Sequence, residues 1–591
     1  MTFPAPSPSL APFRHSSSTH YGHTPPSRLA LPIMSFSDQT SDISSKTDLE
    51  KTATADHYAP GLRVRHVENV KGTDAPVQEV RSAALTAALQ ASGKTDFSSR
   101  ATWTLLGGIF VSFLCSCANG YDGSLMGAIN NMKSYQAQFN SGVVGSTTGL
   151  IFGIYTIGNM VGALFAAPIA DRWGRRVGMQ AGCAVIVLGT LVAVTSHKKE
   201  QFIAGRFILG FGIAIVTTSA PSYCVEIAPP AWRGRATGFF NCGWFGGSVP
   251  AAGITLGTSY MSSNWAWRIP LIGQCVPACA VILSVMFLPE SPRWLIANGR
   301  DDEARAFLVK FHGNGDPNSA IVELEWAEMV EDIKVDASDK RWWDYSELFK
   351  TKAARWRVFM VLVMGVFGQF SGNGLGYFNF QIYSYVGYSS LMQFVLNLVN
   401  SITSAIGAGL GVSIADRVGR RPILIWGTLG CAFWLAMNGM ATHLWALEDP
   451  NNHNLNIGRF AIASFFMFNI VISFAYTPLQ ALYPVECLQT NTRAKGMAAY
   501  AFTVSCIGFI NTYATPIALQ NISYNTIWIF VGWDCIESLI WYFVCVETQG
   551  RTLEELEEIF AAPHPVRASK AKKTVVIDSQ GVAIIDDSIK V

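Results

Sequence analysis

Two charged residues stand inside long apolar stretches of the sequence. Asp122 lies in the run 104–129, and Arg206 lies near the start of the run 201–225. These are the first and fourth of a series of such runs, so they would cross a membrane in opposite directions. A rise of about 1.5 Å per residue then brings both side chains to a similar depth. Ionisable residues at that depth are rare and mark ion or substrate pathways.

Asp122 and Arg206 together predict a proton switch. An aspartate is ionised beside an arginine and favours its neutral form once the arginine moves away. It could therefore take up a proton on one side of a membrane and release it on the other, which makes the proton a predicted partner of the chain. The alternative is a permanent ion pair that only orients two helices.

A second group of charges occurs in two copies, separated by 245 to 260 residues. The sequence Ala-Asp-Arg-x-Gly-Arg-Arg occupies 170–176 and again 415–421. Arginine forms planar, bidentate pairs with carboxylates. We expect such pairs to latch the inner ends of two halves in one state and to break in another. The predicted gate residues are Asp171, Arg175, Glu226, Arg233 and Glu290 in the first copy, and Asp416, Arg420, Glu486, Arg493 and Glu547 in the second.

The composition is that of a membrane protein. Of 591 residues, 50% are hydrophobic and 14% are charged, against about 25% charged in an average soluble domain. The net charge of +2 gives no field that would attract nucleic acid. The 12 cysteines lie mostly in apolar runs without close pairing, so we expect buried thiols, no metal site and no cofactor. The sequence shows no nucleophile–His–Asp set and no phosphate-binding loop, so we do not expect an enzyme.

Twelve apolar runs are long enough to cross a bilayer, which takes roughly 20 residues. They cover 104–129, 143–170, 177–196, 201–225, 237–259, 269–288, 357–385, 389–414, 422–446, 459–483, 496–518 and 525–546. The sequence therefore predicts an all-α integral membrane protein, with the lipid bilayer as partner and twelve transmembrane helices in two six-helix bundles. The expected segments are a disordered cytoplasmic tail over 1–100, the first bundle over 101–289, a cytoplasmic helical linker over 290–355, the second bundle over 356–546 and a cytoplasmic tail over 547–591.

The connections between the runs predict the orientation. Every second connection is basic, and basic short loops stay in the cytoplasm, so both termini are expected there. The repeated arginines could therefore set the membrane topology instead of forming a latch. The sequon Asn521-Ile522-Ser523 falls in an outside loop, where Asn521 could be glycosylated. Met34 opens a second polar leader and is an alternative first residue.

The repeat itself indicates a class of function. Two homologous bundles in the same orientation are typical of transporters whose halves rock about a central site. The repeated motifs resemble those of the sugar porter family of the major facilitator superfamily, over about residues 100–560, and Pro289-Glu290-Ser291-Pro292-Arg293 is the most specific of them. The run 479–486 resembles the fungal branch that includes lactose permeases and hexose transporters. The other matching segments are 120–122, 171–176, 205–207, 221–229, 233–235, 369–372, 416–421, 493–496 and 547–555.

The resemblance implies alternating access with one sugar held near the middle of the membrane. Proton-coupled members carry an Asp–Arg pair at the positions of Asp122 and Arg206, which favours a proton-coupled symporter of a hexose or of a disaccharide such as lactose. A facilitative uniporter and a non-transporting sugar receptor remain alternatives. The resemblance also implies a monomer in the plasma membrane.

The sugar ligands are carried over by the same resemblance. Members of the family bind sugar with amides, which both donate and accept hydrogen bonds, and with an aromatic wall. Gln369 matches a family amide, and Asn241, one methylene shorter, occupies the position of a family glutamine. Asn373 stands one place early, and Gly374 fills the usual amide position. Tyr377 is a candidate for stacking on the sugar, although aromatic residues on helices more often pack in the core.

Several family positions have lost their sugar ligands. Besides Gly374, the helix-ten tryptophan is replaced by Ala481, and an Asn-Trp pair in helix eleven is replaced by Val504-Ser505. We expect these losses to open the C-terminal side of the pocket. A ligand larger than a simple hexose, or different from it, would then fit.

Overall fold

A computed structural model describes residues 65–66, 98–230, 232–338, 345–448, 454–549, 551, 553–570, 574–577 and 583–586. The predicted disordered tail over 1–100 lies outside these ranges, apart from 65–66 and 98–100. The side chains of Asp416, Ala481 and Arg493 lie outside them as well.

The helices of the first half follow the predicted apolar runs. They are α1 Arg100–Asn130, α2 Lys133–Phe139, α3 Ser146–Trp173, α4 Arg175–Val194, α5 Lys199–Ile227 and α6 Arg233–Thr258. The sixth run is divided into α7 Trp265–Gly273, α8 Cys275–Ser284 and a 3-10 helix Val285–Phe287. Four shorter helices follow in the predicted linker: α9 Pro292–Ala297, α10 Asp301–Phe311, α11 Ala320–Ser338 and α12 Glu347–Lys350.

The second half follows the same order of long helices, but its first helix is broken. The seventh run is broken into α13 Lys352–Phe370, α14 Asn373–Gly376 and α15 Asn379–Tyr385. It is followed by α16 Ser390–Val418, α17 Arg420–Leu447, α18 Leu455–Cys487, α19 Thr490–Ile522, a 3-10 helix Ser523–Asn525 and α20 Thr526–Val544. The C-terminal part holds α21 Leu553–Ala561 and α22 Pro565–Ala568. Strands β1 Arg65–His66, β2 Thr574–Ile577 and β3 Ala583–Asp586 form a small sheet in the order β1-β3-β2, in which β3 is parallel to β1 and antiparallel to β2.

Ten stretches of the described chain are long and apolar enough to cross a membrane. One of them, Lys495–Val544, contains most of α19 together with α20. Helix α6 falls outside the ten, and its many glycines explain its lower hydropathy. When the double stretch is counted as two helices and α6 is added, the ten stretches correspond to the twelve predicted runs.

The two halves pack along two helix pairs, because α3 lies against α19 and α6 lies against α16. Three of the four large apolar cores of the described residues are confined to one half with its attached segments. The fourth core joins α1 and α3 to Phe378, Phe394 and Leu519 of the second half. Residues 171–176 and 416–421 lie at one end of the bundles, which we call the arginine-loop end. The shared core lies at the other end, so the two halves are closed on each other there.

Candidate functional site

Asp122 and Arg206 meet inside the first bundle. Arg206 Nη1 lies 2.5 Å from Asp122 Oδ1, and the two side chains are 3% and 0% exposed. The guanidinium also stacks over Tyr155, with 4.6 Å between its central carbon and the ring centre. Asp122 Oδ2 and Arg206 Nε have no hydrogen-bond partner among the described residues. The sequence prediction that these two residues could pair therefore agrees with the geometry, while their role in proton coupling stays a prediction.

Close helix contacts hold this pair in place. A Cβ on Gly120, two residues before Asp122, would lie 1.8 Å from the carbonyl oxygen of Trp244 on α6. A Cβ on Gly158 would lie 2.2 Å from the carbonyl oxygen of Phe207, the neighbour of Arg206. Small residues permit such backbone approach between membrane helices. Glycines thus fix the positions of α1 and α5 relative to α6 and α3.

The predicted sugar ligands of the seventh run lie at a helix break. Helix α13 ends at Phe370, and Gly372 has φ +77°, a conformation that glycine adopts without strain. The break turns Asn373 back toward α13, so its Nδ2 donates to Gln369 Oε1 at 3.4 Å. The expectation of an uninterrupted run over 357–385 is wrong at this point, because α13 ends at Phe370 and α14 begins at Asn373.

A residue outside the predicted set completes this group. Asn511 of α19 donates from Nδ2 to the carbonyl oxygen of Gln369 at 2.8 Å, and its Oδ1 accepts from Thr515 at 3.0 Å. A Cβ placed on Gly374 would lie 2.1 Å from Asn511 Oδ1. The expectation that Gly374 opens the pocket is therefore wrong, because the Asn511 amide occupies that space. The contact of Asn511 with Gln369 and Gly374 results from the packing of α19 on α13, and no spacing in the sequence predicts it.

Asn241 and Tyr377 lie apart from Gln369 and Asn373. Asn241 lines a cavity of about 30 Å³ between α6, α16 and α18, which has room for a water molecule but not for a sugar. Tyr377 lies at the closed end, where a Cβ on Gly127 of α1 would be 2.7 Å from its carbonyl oxygen. Within the described part of the chain, no hydrogen bond joins either residue to Gln369 or Asn373. Their role as sugar ligands stays a prediction.

The first copy of the predicted gate is an ion-pair cluster within one bundle. Arg175 binds Glu226 through Nε and Nη2, at 3.0 and 3.3 Å, and reaches Asp171 Oδ1 through Nη1 at 3.1 Å. The hydroxyl of Ser291 donates to Glu226 Oε2 at 2.5 Å. Arginine and serine together satisfy a half-buried carboxylate.

The second copy has the same geometry. Arg420 binds Glu486 through Nε and Nη2, at 3.1 and 2.8 Å, and Thr548 donates to Glu486 Oε2 at 2.5 Å. Nη1 of Arg175 and Nη1 of Arg420 each donate to the carbonyl oxygen five residues earlier, at 3.1 Å in both copies. The internal repeat is therefore present in the sequence motifs and also in the individual hydrogen bonds.

Glu290 and Glu547 bind helix N-termini. Glu547 accepts the backbone N–H of Arg420 at 2.9 Å and that of Arg421 at 3.0 Å, at the first turn of α17. Glu290 faces Gly174 at the start of α4 in the same way, and burial raises its pKa above the ordinary value. The free N–H groups of a helix N-terminus attract a carboxylate, and the charges of Arg175 and Arg176 act on Glu290 as well. That arginine side chains reach Glu547 stays a prediction.

Among the described gate residues, no recorded ion pair joins the two halves. Each described cluster closes within its own bundle, and Arg233 is directed to the linker, where its Nη2 lies 3.3 Å from Glu325 Oε1 of α11. Glu325 also contacts Nδ1 of His312 at 2.5 Å. Sequence order could not reveal this partner, which lies 92 residues after Arg233. For Asp416 and Arg493 the gate prediction lies outside the described side chains.

A second buried acidic site lies in α20 of the second bundle. Asp534 and Glu537 are both 0% exposed, so the expectation that only Asp122 and Arg206 carry charge inside the apolar runs is wrong. Glu537 Oε2 accepts a hydrogen bond from Ser371 at the helix break and another from Tyr476 at 3.3 Å. The signal was present in the sequence, because two acids three residues apart lie within the run 525–546.

Asn521 lies in the last turn of α19 and is exposed. The expectation that it falls in a loop is therefore wrong, because α19 continues to Ile522 before Ser523, at φ +51°, ends it. The turn lies at the end opposite the arginine loops. Glycosylation of Asn521 stays a prediction.

The chain matches a family of known proteins over most of its length. The family model "Sugar (and other) transporter" matches residues 108–560. Hexose transporter 2 of Kluyveromyces lactis is 30% identical over 433 residues, which are 70% of this chain and 74% of that protein. The quinate permease of Neurospora africana is 27% identical over 483 residues, which are 78% of this chain and 89% of that protein.

The fold also matches a solved structure. The proton:xylose symporter XylE of E. coli superposes with a TM-score of 0.64 and 20% identity, covering 77% of this chain and 99% of that protein. At this identity the match concerns the fold alone. It agrees with the twelve-helix, two-bundle architecture described above.

Proposed function

The chain belongs to the sugar porter family of the major facilitator superfamily, and from this premise we propose that it is a proton-coupled sugar symporter. The observation that carries the proposal is the buried pair of Asp122 and Arg206, at 2.5 Å. An acid at this depth holds its charge only while the arginine stays beside it. A movement of α5 against α1 would favour the neutral acid, so proton uptake and helix movement are linked.

The sugar is proposed to bind beside the break in the seventh run. Gln369, Asn373 and Asn511 bring three amides together there, and amides suit sugar hydroxyls because they donate and accept. The shared core packs the two halves against each other at the opposite end. The proposed cycle opens that end, binds sugar and proton, closes it and releases both at the arginine-loop end, which is the cytoplasmic end if both termini are cytoplasmic.

Uptake of labelled sugar in cells that lack their own transporters tests the proposal. Wild-type protein is expected to concentrate sugar and to acidify the cytosol during uptake. Asp122→Asn mimics the neutral acid, so it should still exchange sugar across the membrane but fail to concentrate it. Glu303→Gln, in an exposed pair of the linker, is the matched control and should concentrate sugar normally. Concentration of sugar by Asp122→Asn would refute the coupling.

The substrate is tested by competition. We propose a hexose or a disaccharide such as lactose, and the panel also includes xylose and quinate, the ligands in the names of two similar proteins. Uptake that an uncoupler leaves unchanged would indicate a uniporter instead. Sugar binding without any uptake would indicate a receptor.

A further inference from the structure

We propose that Asp534 and Glu537 form a second proton-binding site, in the second bundle, whose occupancy controls the helix break at Ser371. The two acids lie on one face of α20, three residues apart, and both side chains are fully buried. The site is distinct from the Asp122–Arg206 pair. The inference goes beyond the proposed function, since it holds whether or not Asp122 couples protons to sugar.

No cation compensates these two acids within the described part of the chain. None of the ion pairs found there includes Asp534 or Glu537. Both carboxylate oxygens of Asp534 and Oε1 of Glu537 also have no hydrogen-bond partner there. A buried carboxylate without a partner is far less stable than its neutral form. Two such groups side by side disfavour double ionisation further.

Two titratable side chains of neighbouring helices face the pair, the thiol of Cys431 on α17 and the phenol of Tyr476 on α18, and both are uncharged in their ordinary protonated forms. Tyr476 accepts a hydrogen bond from Trp541 at 3.3 Å and is 2.8 Å from the hydroxyl of Thr428. The described surroundings therefore offer hydroxyl groups rather than a cation, which suits a bound proton. Proton binding forms one O–H bond and removes one negative charge from the pair.

Glu537 connects this site to the proposed sugar ligands. Its Oε2 accepts the hydroxyl of Ser371, which is the residue between the end of α13 and Gly372. Gln369 and Asn373 lie two residues to either side of Ser371. A charged Glu537 holds the Ser371 hydroxyl more strongly than a neutral one does, because hydrogen bonds to ionised acceptors are about twice as strong. Loss of the proton should therefore tighten the break, and uptake of the proton should loosen it.

Infrared difference spectra of the purified full-length protein in lipid vesicles test proton binding directly. The carbonyl band of protonated carboxyl groups is followed from acid to alkaline pH, without sugar. Wild type should lose a component of this band on titration. Glu537→Gln and Asp534→Asn should each remove that component, while Asp122→Asn should leave it in place. Identical titrations for wild type, Glu537→Gln and Asp534→Asn would overturn the proposal.

Hydrogen–deuterium exchange tests the link to the helix break. After correction for intrinsic rates, the peptide around 365–380 should exchange more slowly at alkaline pH in wild type and at a constant rate in Glu537→Gln. Glu303→Gln is the control for loss of an acid elsewhere, and it should behave as wild type. A pH response that persists in Glu537→Gln would refute the link. Neither measurement needs transport, so both are independent of the outcome for Asp122→Asn.

Discussion

The two bundles are alike at the arginine-loop end and different in the middle. Arg175 with Glu226 and Arg420 with Glu486 form the same two bonds, at 3.0 and 3.3 Å in the first bundle and at 3.1 and 2.8 Å in the second. The buried acids do not repeat. Asp122 lies in α1, the first helix of its bundle, whereas residues 352–385, which form the first helices of the second bundle, contain no acid.

The counterpart of Arg206 differs as well. The motif Gly205-Arg206-Phe207 recurs as Gly458-Arg459-Phe460, and Arg459 is exposed. The second bundle instead carries its acids on its last helix, as Asp534 and Glu537. Repeated contacts belong to the architecture that both halves need, whereas contacts found in one half alone indicate a specialised task. Among the described residues, the first bundle thus has a buried acid paired with a cation, and the second has two buried acids without one.

Removal of Arg206 should have the largest effect and would break this comparison most directly. Arg206→Met leaves Asp122 buried and unpaired, which typically costs about 3–5 kcal/mol. We expect a large loss of folded protein, measured by thermal unfolding in detergent. Arg206→Met combined with Asp122→Asn removes both charges and should recover most of that loss. Failure of the double variant to recover would mean that Arg206 stabilises the bundle through Tyr155 rather than through Asp122.

The equivalence of the two arginine clusters gives a second test. Arg175→Gln and Arg420→Gln each remove a bidentate hydrogen bond to a half-buried carboxylate, so each should destabilise the protein by about 1.5–3 kcal/mol. Similar losses would support the structural equivalence of the two ends. The control is Arg300→Gln, whose exposed pair with Glu303 should contribute only about 0.2–1 kcal/mol. A loss for Arg175→Gln that matches the control would contradict the symmetry.

A substitution of Gly374 tests the packing at the helix break of the second bundle. Gly374→Ala places a Cβ against the amide of Asn511, which is buried, and overpacking typically costs about 1–3 kcal/mol. Sugar uptake should fall, because Asn511 must leave the carbonyl of Gln369. Gly376→Ala is the matched control, since a Cβ there meets open space. Normal uptake by Gly374→Ala would show that Asn511 is free to move.

Much of the architecture was predictable from patterns that act over short distances. Apolar runs of sufficient length predicted the helices, and the repeated motifs predicted the two bundles. The encounter of Asp122 with Arg206 followed from helix rise alone, because both positions are fixed along straight helices. In these cases the residue types and their spacing were sufficient to predict the structure.

The remaining features depend on packing between distant segments. The break at Ser371 occurs where a single Ser-Gly pair interrupts an apolar run, and such a pair is compatible with a continuous helix as well. The contact of Asn511 with Gln369 joins residues 142 positions apart. Two acids in α20 were visible in the sequence, but only the structure shows that Glu537 faces Ser371.

The smallest expected effect is the pH dependence of stability that Glu290 causes at the arginine-loop end. Burial raises the pKa of Glu290 above its ordinary value of about 4.3. The folded state therefore binds the proton more tightly than the unfolded state does, so the contribution of Glu290 to stability falls as the pH rises through this window. Wild type should lose thermal stability from acid to neutral pH more steeply than Glu290→Gln, which carries no titrating group there. Glu303→Gln, an exposed acid, should keep the wild-type slope. Equal slopes for wild type and Glu290→Gln would mean that the bond from Ser291 and the N-terminus of α4 offset the effect of burial.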